Sequence, residues 1–149
     1  MSESVSITLD LDDLWAYLRV KGDKDWDKAP SYLESFIPVF LKRLKAYDIQ
    51  ATIFVIGKDA EFNPHLIQML AAEGHEIASH SFNHTPKSLI TNPEEEISKA
   101  EEAIFKAVQK KPIGFRGPAF TWSKEILQIL NQRGYLYDSS LLPSFLGPL

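Results

Sequence analysis

The run Ala51-Thr-Ile-Phe-Val-Ile56, closed by Gly57, constrains this chain more than any other stretch. It is rich in β-branched and aromatic residues and has no polar alternation, so it reads as a strand buried on both faces. Amphipathic helices flank it. Between about Ser31 and Tyr47 the apolar residues Leu33, Phe36, Ile37, Phe40, Leu41 and Leu44 recur at helical spacing, with Pro38 predicting a kink or a restart. Asn63-Pro64 opens a second helix with Ile67, Leu70 and Ala71 inward, ended by Gly74. Asn92-Pro93 opens a third, with Ile97, Ala100, Ile104, Phe105 and Val108 inward and Glu94, Glu95 and Glu96 suited to its N-terminus. Ser123 caps a fourth that runs to about Arg133 and Gly134.

Further strands fit the gaps: Val5 to Asp12, His75 to Ser79, Ile113 to Phe115 and Tyr135 to Ser139. Strand–helix alternation with short turns predicts a parallel α/β sheet, either open and doubly wound or curled into a barrel. No solenoid-period repeat or low-complexity linker interrupts it. The length of 149 residues suits one domain. A net charge of −4 without a basic block argues against nucleic acid as a partner, and no apolar run approaches the roughly 20 residues of a membrane helix. Met1-Ser-Glu-Ser does not resemble a signal peptide, and there is no Cys, so the expected compartment is the cytoplasm.

In both architectures, side chains at strand C-termini converge on one rim, where α/β proteins keep their chemistry. Polar residues gather at those ends: Asp12 and Asp13, the pair His80 and His84, Arg116, and Asp138. In the first strand Val5, Ile7, Leu9 and Leu11 point one way, and Ser6, Thr8, Asp10 and Asp12 the other. Three carboxylates within four residues repel one another unless a cation or an Arg compensates. His80-Ser-Phe-Asn-His84 offers two imidazoles that can face one side. His75 is placed on the opposite rim and His65 in the first turn of a helix, so neither is expected to join them.

These residues resemble the polysaccharide deacetylases, metal-dependent carbohydrate esterases built on the NodB homology domain. The family's Thr-Phe-Asp-Asp matches the slot of Asp10-Leu-Asp-Asp13, its His-Ser/Thr-x-x-His matches His80 to His84, and its Arg-x-Pro matches Arg116-Gly-Pro118. The resemblance covers Ile7 to Pro143. It implies part of a distorted (β/α) barrel with about five βα units, residues 1–149 forming the N-terminal two-thirds of one catalytic domain. It implies removal of N-acetyl groups from amino sugars of an acetylated polysaccharide. By the same resemblance Asp13, His80 and His84 hold a divalent metal, zinc, with Co, Ni, Mn and Fe compatible with the same ligands. Asp12 is the general base, Arg116 its partner, and the N–H of Ala119, after Pro118, helps hold the oxyanion.

The chain departs from the family in three ways. Leu14 stands where the family has Gly, and Asp10 where it has Thr; a long loop follows instead of a tight turn. The later Leu-x-His motif, whose His protonates the leaving amine, is missing. The apolar tail Leu141 to Leu149 has nothing evident to cover it, so a longer chain, or a second copy, is expected to complete the barrel. Three other readings stay open: a related amidohydrolase on a non-sugar C–N bond, a catalytically incomplete glycan- or metal-binding remnant, and a receiver-type signalling domain. The last lacks the acceptor Asp at its third strand end, where Ser79-His80 stands.

Overall fold

The computed structural model describes residues 5–141; the first four residues and the tail from Leu142 onward lie outside this description. Five strands alternate with seven α-helices in the described residues: β1 Thr8–Leu11, α1 Leu14–Val20, α2 Leu33–Ala46, β2 Thr52–Val55, α3 Gly57–Phe62, α4 Pro64–Ala72, β3 Glu76–Ser79, α5 Pro86–Thr91, α6 Pro93–Val108, β4 Gly114–Phe115, α7 Lys124–Gln132 and β5 Tyr137–Asp138. All neighbours are parallel and the strand order is β1-β2-β3-β4-β5. Sequential order has no point at which winding reverses, so the doubly wound alternative falls away.

The sheet curls. Arg116, just past β4, bonds Asp10 and Thr8 on β1, three strand spacings away. In a flat sheet that separation is ~14 Å, beyond one side chain. Tyr137 on β5 likewise passes over Gly114 on β4 to donate to Glu76 on β3 at 2.8 Å. A Cβ at Gly114 would collide with that ring, so only glycine lets the inner face close here.

The alternation of β1 sorts the two faces. Leu9 and Leu11 turn outward into the main core, with Ile53, Val55 and Ile77 beneath α2, α4 and α6. Thr8 and Asp10 turn inward. Phe54 is the apolar floor of the inner face, fully buried, with the Arg116 guanidinium 4.1 Å from its ring centre. The stripe expected on α2 is present, with Leu33, Ile37, Leu41 and Leu44 buried, and the helix runs unbroken through Pro38. Both Pro38 and Glu34, whose carbonyl the ring leaves without an amide donor, are exposed, so the interruption falls on the solvent side of the helix. Phe105, expected inward on α6, is 42% exposed. The helices α3 and α5 are six residues each, too short to declare themselves by periodicity.

Candidate metal and acid–base site

Three side chains meet at the C-terminal rim of β1 and β3. The Asp12 Oδ1 atom lies 3.3 Å from His84 Nε2 and 3.7 Å from His80 Nε2. One ligand atom from each of the three residues falls within 4.8 Å of the others. Two ligand atoms around a tetrahedral zinc, each ~2.0–2.1 Å from it, stand about 3.3 Å apart. The spacing therefore fits one ion with modest tightening. Asp12 Oδ1 is buried and has no hydrogen-bond partner among the described residues, as expected of an atom whose partner is a cation.

The two imidazoles are held differently. His80 Nδ1 lies 2.6 Å from the Arg116 carbonyl oxygen. A carbonyl only accepts, so Nδ1 carries the proton and the Nε2 lone pair faces Asp12. His84 Nδ1 is buried and has no hydrogen-bond partner among the described residues. Its position comes from the backbone of residues 81–84, in which Ser81 (φ 60) and His84 (φ 54) are both left-handed. Burial alone would raise the Asp12 carboxyl, but the neighbouring His84 and His80 outweigh it and hold it below the ordinary carboxylate value. Burial also pushes the His80 imidazolium down, against the pull of Asp12. The resulting state is an ionised Asp12 carboxylate facing a neutral His80 ring.

Asp13 stands outside this cluster, which corrects the expected ligand set. It lies two residues past β1 at extended φ/ψ (−75, 162), where it caps α1. Its Oδ1 accepts from Leu14 N at 2.7 Å and Tyr32 N at 3.3 Å. The physical reason is the period of two: Asp10 and Asp12 share the inner face and Asp13 leaves it. Arg116 is corrected in the same way. Its Nη1 donates to Asp10 Oδ1 at 2.6 Å instead of pairing with Asp12, while Nη2 reaches Ser139 Oγ at 2.7 Å. The other Asp10 oxygen, Oδ2, is 4.0 Å from His80 Nε2, so the Asp10–Arg116 pair borders the metal-type cluster.

The remaining predicted residues lie nearby. Pro118 is buried and Ala119 exposed in a short turn after Arg116, with Ala119 in a left-handed conformation (φ 49). Asp138 is not among the clustered residues: its Oδ1 accepts from Ser140 Oγ at 2.6 Å, and Ser140 Oγ accepts from Gly117 N at 2.8 Å, which fixes the Arg116 loop. His65 pairs with Glu34 at the surface at 2.8 Å, and His75 accepts from Ala51 N at 3.3 Å; neither joins the cluster. Of the three tryptophans, Trp15 is buried with its N–H on Asp59, Trp26 packs beside it, and Trp122 is 47% exposed.

The alternation of β1 put Asp10 on the face of Asp12 in the sequence, but the motif gave Asp10 no role beyond replacing Thr. The sequence presents Glu96 as one of three helix-start acids, yet Glu96 is buried while Glu94 and Glu95 are exposed. No signal in a single sequence separates those three.

Residues 6–137 match the family model described as polysaccharide deacetylase. A peptidoglycan deacetylase of Helicobacter pylori is 31% identical over 114 residues, covering 75% of this chain and 39% of that protein. A chitooligosaccharide deacetylase of Sinorhizobium fredii is 34% identical over 95 residues, covering 62% and 44%. Among solved structures, a candidate polysaccharide deacetylase from Mycobacterium smegmatis superposes with a TM-score of 0.79 at 25% identity, covering 92% of this chain and 50% of that one. The chain thus spans less than half the length of these curated relatives. No helix among the described residues is long and apolar enough to cross a membrane.

Proposed function

Because this chain belongs to the polysaccharide deacetylase family, we propose that it takes part in hydrolysing the N-acetyl group of an amino sugar in a polysaccharide. Asp12, His80 and His84 are the proposed metal ligands, with zinc as the ion and Co, Ni, Mn and Fe compatible with one carboxylate and two imidazoles. When bound, such an ion polarises an amide carbonyl and acidifies a water. The observation that carries the reading is the convergence of Asp12, His80 and His84 beside a second, Arg-paired carboxylate.

That second carboxylate, Asp10, takes the role of general base in place of Asp12. Asp12 faces both imidazole Nε2 atoms and is committed to them. Asp10 presents one oxygen to Arg116 and the other toward the cluster, so it can take a proton while the guanidinium keeps it oriented. With both Nε2 atoms engaged, neither imidazole can return that proton to the leaving amine. Asp10, once protonated, is the group at hand to do so. The Ala119 N–H, on the exposed turn after Arg116, remains the proposed oxyanion donor. The names of the relatives, a peptidoglycan and a chitooligosaccharide deacetylase, support an acetylated amino-sugar polymer as substrate.

Acetate release from an acetylated chito-oligosaccharide by the zinc-loaded protein tests this reading. Asp10→Asn is expected to keep zinc and to lose turnover by ~10²-fold or more. Wild-type turnover in that variant would overturn the assignment of the base, and a wild-type protein that takes up no divalent metal would overturn the site.

A further inference from the structure

The geometry points to Glu96 as the positioning residue for His84, an inference that rests on the proposed ligand set. His80 is oriented directly, by the Arg116 carbonyl on its Nδ1. His84 has no such partner, since its Nδ1 is buried and unbonded among the described residues. Metal-binding imidazoles ordinarily hand their second nitrogen to a carbonyl or carboxylate, which fixes the ring. In this chain the ring of His84 faces Asp12 through Nε2, and its placement otherwise rests on the backbone that carries it.

That backbone is clamped from two sides. The carbonyls of Ser81 and Phe82 accept from Gly57 N at 2.8 Å and Lys58 N at 3.2 Å, at the start of α3. The amides of Phe82 and Asn83 both donate to Glu96 Oε2, at 3.1 and 2.9 Å. The other carboxylate oxygen, Oε1, accepts from Asn83 Nδ2 at 2.6 Å. Asn83 Oδ1 in turn accepts from Arg19 on α1 at 3.2 Å, which fixes the direction of its amide. A carboxylate 3% exposed, reached from α6, therefore spends both oxygens on the residue just before His84 and the one before that. Burying a carboxylate is costly unless it is fully bonded, and all three of these bonds go to the loop that carries His84. Without Glu96, two part-buried amides lose their acceptor, and residues 82–83 keep only the bonds from Lys58 N to the Phe82 carbonyl and from Arg19 to Asn83 against relaxation of the left-handed turn at His84.

Competition for zinc against a chromophoric chelator, on protein shown to be folded by circular dichroism, tests the assignment. Glu96→Ala is expected to lower zinc affinity roughly 10- to 100-fold. Glu96→Gln, which keeps the size of the side chain, is expected to lower it about 10-fold, because its amide N–H₂ meets the N–H₂ of Asn83. Adding Asn83→Asp supplies an acceptor for that N–H₂ while still accepting from Arg19, so the double substitution is expected to recover the wild-type affinity. A role confined to fold stability would lower the melting temperature and leave the zinc affinity of the folded variants unchanged; that result overturns the inference. So does a double variant no better than Glu96→Gln. A wild-type chain that takes up no zinc refutes the ligand set itself, and is distinguishable because the amides of Phe82 and Asn83 would still exchange faster in Glu96→Ala than in the metal-free parent.

Discussion

Asp12 and Asp13 are adjacent in sequence and chemically identical, yet the structure gives them opposite fates, and one pair of substitutions separates them. Asp12→Asn removes the carboxylate that both imidazole Nε2 atoms face. Structural zinc sites with four ligands bind with ~10–16 kcal/mol, or about 3 kcal/mol for each ligand, so losing one should weaken zinc by roughly 10²-fold. Asp13→Asn leaves the cluster intact. Its Oδ1 bond to Leu14 N, at 2.7 Å, survives because the Asn carbonyl accepts as the carboxylate did, and Asn caps helices about as well as Asp. Zinc affinity should stay within twofold and stability within about 0.5 kcal/mol. Asp13→Ala is the control for the structural role. It removes the cap, worth about 1 kcal/mol, and leaves Tyr32 N without its acceptor, worth about 1–3 more. At 2–4 °C for each kcal/mol, the melting temperature should fall by roughly 5–15 °C with zinc affinity retained. Chelator competition and thermal melts on the metal-free proteins read both quantities. A loss of zinc in Asp13→Asn comparable to that in Asp12→Asn would refute the placement.

Two further outcomes follow from buried groups away from the cluster. Burial pushes the Asp59 carboxyl up to about 7, against the opposing bond from the Trp15 indole N–H at 2.6 Å. Below the ordinary value of 3.8 both folded and unfolded chains are protonated; as pH rises the unfolded chain ionises first, and the folded state loses stability until its own group titrates near 7. That is about 3 pH units, or ~4 kcal/mol. Asn does not titrate, so urea melts should show the stability of Asp59→Asn gaining on wild type by about 1.4 kcal/mol per pH unit between pH 4 and 7; a constant gap across that range would refute it. Gly114→Ala would force the Tyr137 ring off Gly114 and break its bond to Glu76, with an expected loss of about 1–3 kcal/mol in chemical denaturation, and no loss would show that the inner face can yield.

The fold was legible where burial leaves a period. The run Ala51 to Ile56 became β2, with Ile53 and Val55 in the outer core and Phe54 on the inner face. The long helices α2 and α6 announced themselves by spacing, and Ser123 capped α7 as its hydroxyl predicted, accepting from Ile126 N at 3.1 Å. What stayed hidden is what only three dimensions bring together. The choice between an open sheet and a curled one lies in contacts such as Arg116 to Asp10, 106 residues apart. The clamp of Glu96 on Asn83 depends on how α6 crosses the loop after β3, and no local pattern encodes a crossing.

That acidic side chains, two histidines and Arg116 gather at the strand ends was legible in the sequence; which neighbouring carboxylate faces the histidines and which faces Arg116 was not. The family resemblance sets Asp13 beside the histidines because an adjacent acidic pair matches the family's two consecutive carboxylates. Backbone geometry allows only every second residue of a strand to face the same way, and Thr8, Asp10 and Asp12 already shared a face in the alternation of β1. The pattern supplied here is Asp-x-Asp: one carboxylate against the two imidazoles, the other against Arg116, with Leu11 between them buried in the opposite core. Asp13 is then free for the next task along the chain, starting α1 and gripping Tyr32 N at the end of the long loop. Where a motif and a strand period disagree about which of two neighbouring side chains enters a site, sterics decide for the period.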